Sequence, residues 1–341
     1  MVRLVALDVA RAVAIIGMLA VNVGPRDDTG LAAWVIRAAH GRASILFVLL
    51  AGVGVALLTR RALAGGPPRR SALFWRAGVL LVLGLVLQLL DHDVSVILAT
   101  YAVLFAVAAA LVRLPDKWLL SGAATTATAG PVLWILAQRP AEFAMDAPRL
   151  TDSPLSIAGS ILVSGPYPAI VWAAPFLFGM WLGRQQLSAR RVQLTMLWAG
   201  SVAAVGGMLA SRLLVLLLGQ PGERVGLDRL ISAVGHSQMP LWLLSATGSA
   251  VAVLAALLLL VPHLGRLVAP LTALGQLSLT VYVAHLVVLV SAVRPGPWSA
   301  TDGLAVTAVI TIVATALAVA WRTTFARGPL ETVLRIPRRL A

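Results

Sequence analysis

Residues 7–22 read LDVARAVAIIGMLAVN, a stretch apolar enough to enter a bilayer that nevertheless carries Asp8, Arg11 and Asn22. A charged residue at membrane depth costs roughly 2.5–3.5 kcal/mol on insertion scales, so two in one span require partners or water. Their spacing supplies one partner. Residues three apart on a helix share a face, so Asp8 and Arg11 can pair, and any further polar partner must come from a neighbouring helix. The pair reads equally as a packing clamp near one membrane surface and as part of a site.

The rest of the chain has the same character. Of 341 residues, 60% are hydrophobic and 12% charged, with a mean hydropathy of +0.93. Those values exclude an ordinary soluble domain and indicate a polytopic membrane protein. Ten apolar runs approach the roughly 20 residues that a spanning helix needs. They cover 4–23, 41–58, 72–90, 94–112, 118–137, 161–183, 193–218, 241–261, 271–292 and 303–321. The second run is short, and extends back through His40 as a tilted helix or begins with an interfacial helix. The fold expected is therefore an all-α transmembrane bundle forming one integral membrane domain over 1–341.

Charge orients it. With the N-terminus in the cytoplasm, Arg26, Arg37, Arg42, Arg139, Arg149, Arg224, Arg229 and Arg294 fall outside, while Arg11 and Arg212 lie within spans. The remaining seventeen of the 27 basic residues are then cytoplasmic, a positive-inside bias that puts both termini in the cytoplasm of a bacterial inner membrane. The net charge of +14 comes from short clusters between apolar runs, so it reads as topology and not as a nucleic-acid surface. The first span lacks an uninterrupted apolar region and an A-x-A site, and is expected to be retained. The absence of cysteine excludes disulfides and thiolate chemistry. No H-x-x-H, P-loop or G-x-S-x-G pattern points to a transition metal, a nucleotide cradle or a serine nucleophile.

Chemistry then falls to the five histidines. His40, His92 and His236 lie at the outer ends of spans or in outer loops, His263 in a short inner loop, and His285 inside the ninth span. An interfacial histidine is most often an amphipathic anchor. His40 stands out because it opens HGRASILFVLLAGVGVALL, where Gly41, Gly52 and Gly54 permit close helix approach and Arg42 and Ser44 add donors. The triplet DHD at 91–93 is expected on the same face. A carboxylate beside a histidine can orient it and raise its basicity, and Asp91 is the candidate orienter, with Asp93 the better candidate for a plain hydrated turn. His285 follows Tyr282 by three residues, and an intramembrane histidine marks either a site or an interhelical hydrogen bond.

Five stretches in order, LDVARAVAIIGMLAVN, HGRASILFVLLAGVGVAL, VILATYAVLF, PLTALGQLSLTVYVAH and FARGPLETVLR, resemble the YeiB-type family of bacterial membrane proteins. That family is similar to the heparan-α-glucosaminide N-acetyltransferases of the transmembrane acyltransferase superfamily. The most specific parts are the opening L-D-x-x-R and the closing G-P-L-E at 328–331. The resemblance implies a bundle that moves an acyl group, in the acetyltransferase branch from acetyl-CoA, across the membrane. Its donor is cytoplasmic acyl-CoA, and its acceptor an amine or hydroxyl of a glycan or lipid-linked molecule outside. It implies His40 as the catalytic residue, although Ala12 stands where the family has glycine. With it go Asp91 as orienter, and Asp8, Arg11, Asn22, Tyr282 and His285 as supports. Arg60, Arg61, Arg69, Arg70 and Arg327 are then candidates for the coenzyme A phosphates, a role that competes with simple positive-inside anchoring. No metal and no nucleic acid enter this reading, membrane lipid does, and a homodimer stays open. A transporter or exporter of a small metabolite or lipid precursor fits the same intramembrane polar residues, and an assembly partner for envelope proteins fits the small-residue patterns Gly206/Ala210 and Gly248/Ala252.

Overall fold

The computed structural model describes residues 4–25, 28–63, 65–66, 69–90, 92–138, 147–222 and 224–335, the side chains of Arg61 and Leu63 excepted. Among these it is all-helical, without a strand. The helices are α1 (Val5–Val23), α2 (Gly30–Ala39), α3 (Arg42–Leu63), α4 (Arg70–Leu87), α5 (Leu98–Leu111), α6 (Asp116–Ala137), α7 (Pro154–Gly159), α8 (Ala169–Leu182), α9 (Arg190–Leu218), α10 (Pro240–Leu264), α11 (Ala269–Gln276), α12 (Ser278–Val288), α13 (Ala300–Thr324) and α14 (Pro329–Val333). Several are long and apolar, and the protein is an integral membrane protein.

Length and apolarity together qualify seven segments as spans, or eight when the pair Pro154–Ser164 and Ala169–Leu182, bent by 55°, counts as one. The ten expected runs differ from these in identifiable ways. The second becomes Gly30–Arg60, in which α2 and α3 are separated only by His40 and Gly41. The fourth forms α5, whose 14 residues rise about 21 Å against roughly 30 Å of hydrocarbon. The ninth is broken at Leu277 into α11 and α12.

Small residues set the helix spacing. A Cβ on Gly52 of α3 would meet Phe176 O and, at 2.8 Å, Met180 N; one on Gly179 of α8 would meet Leu49 O. These two helices therefore touch backbone to backbone, which in a membrane replaces the hydrophobic drive that lipid removes. Gly200 and Gly248 do the same for α9 and α10, so Gly248 serves internal packing, while Gly206 faces open space. Gly54 has only Arg11 Nη2 nearby, at 3.6 Å from its would-be Cβ.

The bundle has two unlike ends. Ala300 N–H donates to Asp28, and Gly303 lies against Gly24, so α13 begins where α1 finishes and returns antiparallel to it. The described chain ends thus share one face, here the terminal end. The α1–α2 loop, the α4–α5 loop, the 160–168 break, the α9–α10 loop and the 294–298 segment gather at the other, the cavity end.

Candidate functional site

A cavity of about 650 Å³ opens at the cavity end, lined by His40, His236, Tyr167, Asn22, Tyr282, Asp93 and Arg294 among others. His40 reaches it because the chain turns sharply between α2 and α3. Gly41 has φ +74, and a Cβ there would stand 2.7 Å from the Trp242 ring and 3.1 Å from His236 N. Glycine is required twice over, for the left-handed backbone and for the close approach of the ring. The approach is mutual: a Cβ on Gly235 would lie 3.0 Å from His40 Nδ1.

His236 comes from the GHSQMP stretch (235–240), whose His236 and Gln238 adopt φ +64 and +67. Non-glycine residues in that region cost about 1–3 kcal/mol each and persist where their surroundings hold them. The surroundings here are aromatic. The His236 ring stacks on Trp242 at 5.8 Å, meets Tyr167 edge-on at 4.9 Å and Trp172 at 5.4 Å, and lies 5.3 Å from the His40 ring. Tyr167 itself is delivered by the SGPYP break (164–168) before α8.

Hydrogen bonding then assigns the His236 proton. Trp172 Nε1–H, which can only donate, lies 2.8 Å from Gln238 Oε1, fixing the orientation of that amide. The amide nitrogen donates to Pro166 O at 2.9 Å and faces His236 Nδ1 at 3.2 Å. An amide nitrogen cannot accept, so Nδ1 must, and the neutral ring carries its proton on Nε2. His236 is thus held with its ring proton on Nε2.

The floor joins α1 to α12. Asn22 Nδ2 lies 3.1 Å from His285 Nε2, Tyr282 meets His285 edge-on at 5.1 Å, and Arg294 donates to Asn22 O at 2.8 Å. Asn22, Tyr282 and His285 are therefore brought together, with His285 one hydrogen bond behind the lining. Asp91 lies outside the described residues. Its neighbour His92 is buried, with Nε2 donating to Leu87 O at 3.0 Å and Nδ1 accepting Val94 N–H at 3.1 Å, a staple across the α4–α5 turn. Asp93, expected as a hydrated turn, has φ +54 and faces Arg294 at 3.8 Å on the cavity rim.

Asp8 and Arg11 form the expected pair at 2.9 Å, and the partner from another helix is Gln276, whose Nε2 lies 3.4 Å from Asp8 Oδ2. Asn22 lies fourteen residues beyond Asp8 on α1, a rise of about 21 Å. The G-P-L-E turn has a structural duty. The break at Leu277 strands the first N–H groups of α12, and Glu331 accepts from Leu279 N at 2.8 Å, Thr280 N at 3.0 Å and Thr280 Oγ1 at 2.6 Å. Arg60, Arg69, Arg70 and Arg327 are exposed at the terminal end and do not line the cavity; the Arg61 side chain lies outside the described set. No cluster of three or more metal-ligating side chains occurs among the described residues.

Residues 180–337 match the family model "Protein of unknown function (DUF418)". It is a family of YeiB-like membrane proteins. The match includes His236, Gln238, Tyr282, His285 and Glu331, and excludes His40 and Tyr167. No curated protein matches the chain.

Proposed function

We propose that the cavity is an acyl-transfer site at which His40 is the general base and His236 the hydrogen-bond donor. One observation carries the reading: two imidazoles 5.3 Å apart, of which Gln238 fixes one as an Nε2–H donor. In the proposed step His40 takes the proton from an acceptor hydroxyl or amine, whose oxygen or nitrogen bonds to the acyl carbon. His236 donates to the oxyanion that develops on the former carbonyl oxygen, and the departing thiolate of acyl-CoA takes the proton back from His40. A cavity opening away from the chain ends suits a glycan or lipid-linked acceptor arriving at that face. The donor arrives from the other side. Arg42 to Arg60 along α3 is a rise of about 27 Å, so a donor whose phosphates rest on Arg60, Arg69, Arg70 or Arg327 must send its acyl arm through the bundle.

The broken helix α11–α12 favours a second reading, transport, because interrupted spans mark substrate sites in transporters. Against it, the positive end of α12 is already filled by Glu331. The deciding experiment is release of coenzyme A from acetyl-CoA by the purified chain in nanodiscs, offered a panel of amino sugars and alcohols. Acceptor-dependent release that falls 10²–10⁴-fold in His40→Ala supports acyl transfer. Acceptor uptake into vesicles without acyl donor, unaffected by His40→Ala, supports transport.

A further inference from the structure

His236 is also the wall of a second cavity, about 520 Å³, between the end of α9 and the α9–α10 loop. Its polar side chains are mostly donors. Ser211 Oγ accepts Ala233 N–H at 2.8 Å, Ser232 Oγ accepts Val234 N–H at 3.2 Å, and Ser237 Oγ accepts Met239 N–H at 3.4 Å. Each hydroxyl thus has backbone on its lone pair and no described acceptor for its own O–H, so it has a proton to offer. Arg212, the span arginine that the first cavity does not use, lines the same space and has no carboxylate or carbonyl partner among the described residues. Arg229 lines it too, donating to Gly222 O at 3.0 Å. Arg42 stands one side chain behind, donating to Met208 Sδ and Ser245 Oγ at 3.3 Å. No described carboxylate lines the cavity.

We propose that this second cavity binds a phosphate group. Its donors come from three places in the chain, α9, Ser232 and Ser237, and outnumber the two oxygens of a carboxylate, which suits the three terminal oxygens of a phosphate. The Arg212 guanidinium, which has no carboxylate partner among the described residues, is the strongest of these donors. The site shares the His236 ring with the first cavity, but Arg212 and Ser237, on which it rests, take no part in the acyl-transfer step.

The test uses the delipidated full chain in detergent and two probes, inorganic pyrophosphate and dihexanoyl phosphatidic acid, with dihexanoylglycerol as the phosphate-free control. Binding is read by native mass spectrometry and by calorimetry. The wild type binds at least one phosphate probe and not the control, and Arg212→Gln weakens binding at least about tenfold, as loss of a charge-assisted donor requires. Arg212→Lys recovers part of the loss, and Ser237→Ala costs a few-fold. Phosphatidic acid alone binding assigns the phosphate to a lipid headgroup, whereas pyrophosphate binding as well assigns it to a soluble phosphoester. Failure of both probes on the wild type overturns the proposal, as does equal binding by Arg212→Gln with an unchanged melting temperature.

Discussion

The two ends of the bundle use the same expensive residue types to opposite purposes. At the terminal end three charges are met locally: Asp8 by Arg11 and Gln276, Glu331 by the N–H groups of α12, and Arg184 by Asp116 at 2.8 Å and the carbonyls of Leu114 and Val112. At the cavity end His40, His236 and Tyr282 are packed by aromatic rings and glycine contacts, yet they face about 650 Å³ of open space. Ionisable residues in a membrane are by default functional candidates. This pair of regions separates the default into two classes by whether the side chain lines a cavity.

Substitutions that move one end and spare the other sharpen the contrast. His40→Ala should carry the largest effect, a 10²–10⁴-fold loss of acyl transfer with an unchanged melting temperature, checked by coenzyme A release beside a thermal-shift assay. A stability loss of the same size, with activity per folded molecule retained, would return His40 to the structural class. Glu331→Ala should do the reverse. It strands two backbone N–H groups and a hydroxyl, each worth about 1–3 kcal/mol, so the protein should melt earlier and amides 278–281 should exchange faster, while the coenzyme A assay on surviving protein changes little. Gly52→Ala is next, about 1–3 kcal/mol of overpacking against the α8 backbone, read as a lowered melting temperature.

A smaller effect belongs to Gln238→Leu. It removes the amide that makes His236 Nδ1 an acceptor, so the imidazole should lose its fixed tautomer, visible as averaged Nδ1 and Nε2 shifts in ¹⁵N-histidine spectra. Transfer should fall about tenfold with an altered pH profile. An unchanged spectrum would remove the argument that divides donor from base.

How much of this was legible in advance follows from sequence separation. The Asp8–Arg11 pair is three residues apart on one helix, and periodicity alone placed it; the apolar runs follow from local composition. The break at Leu277 could not be read, because L-S-L-T-V continues an apolar run without Pro or Gly, and the carboxylate that stabilises the break comes from Glu331, about fifty residues away. His236 was visible only as one interfacial histidine among several. Its significance lies in contact with His40, about 200 residues distant, and with three rings from α8, α10 and the 164–168 break. The nearest local signal was GHSQMP itself, a histidine between glycine and two polar residues just before a helix-starting proline. Arg60, Arg69, Arg70 and Arg327 show the converse: a strong local pattern of exposed charge that does not line the cavity of His40.

The cavity end also contains structural carboxylates, and Asp28 offers the gentlest test of the division. Asp28 accepts from Thr29 N at 2.7 Å and Ala300 N at 2.7 Å, tying the α1–α2 loop to the start of α13. The Ala300 bond, then the Thr29 bond, holds its carboxyl below the ordinary aspartate range, with partial burial opposing and Arg37 adding to the shift. A carboxylate whose folded pKa is depressed binds its proton more readily when unfolded. Its contribution is complete above the unfolded pKa and disappears as pH falls through the folded one. Acidification should therefore speed exchange of the first α13 amides selectively, by a few-fold, while amides of α12 beneath the Glu331 cap hold. Asp28→Asn should show that faster exchange already at neutral pH and lose the acid dependence. If α13 in the variant still loosened with acid as the wild type does, the tie would lie elsewhere on the rim, and Asp28 would belong with the residues that face the cavity.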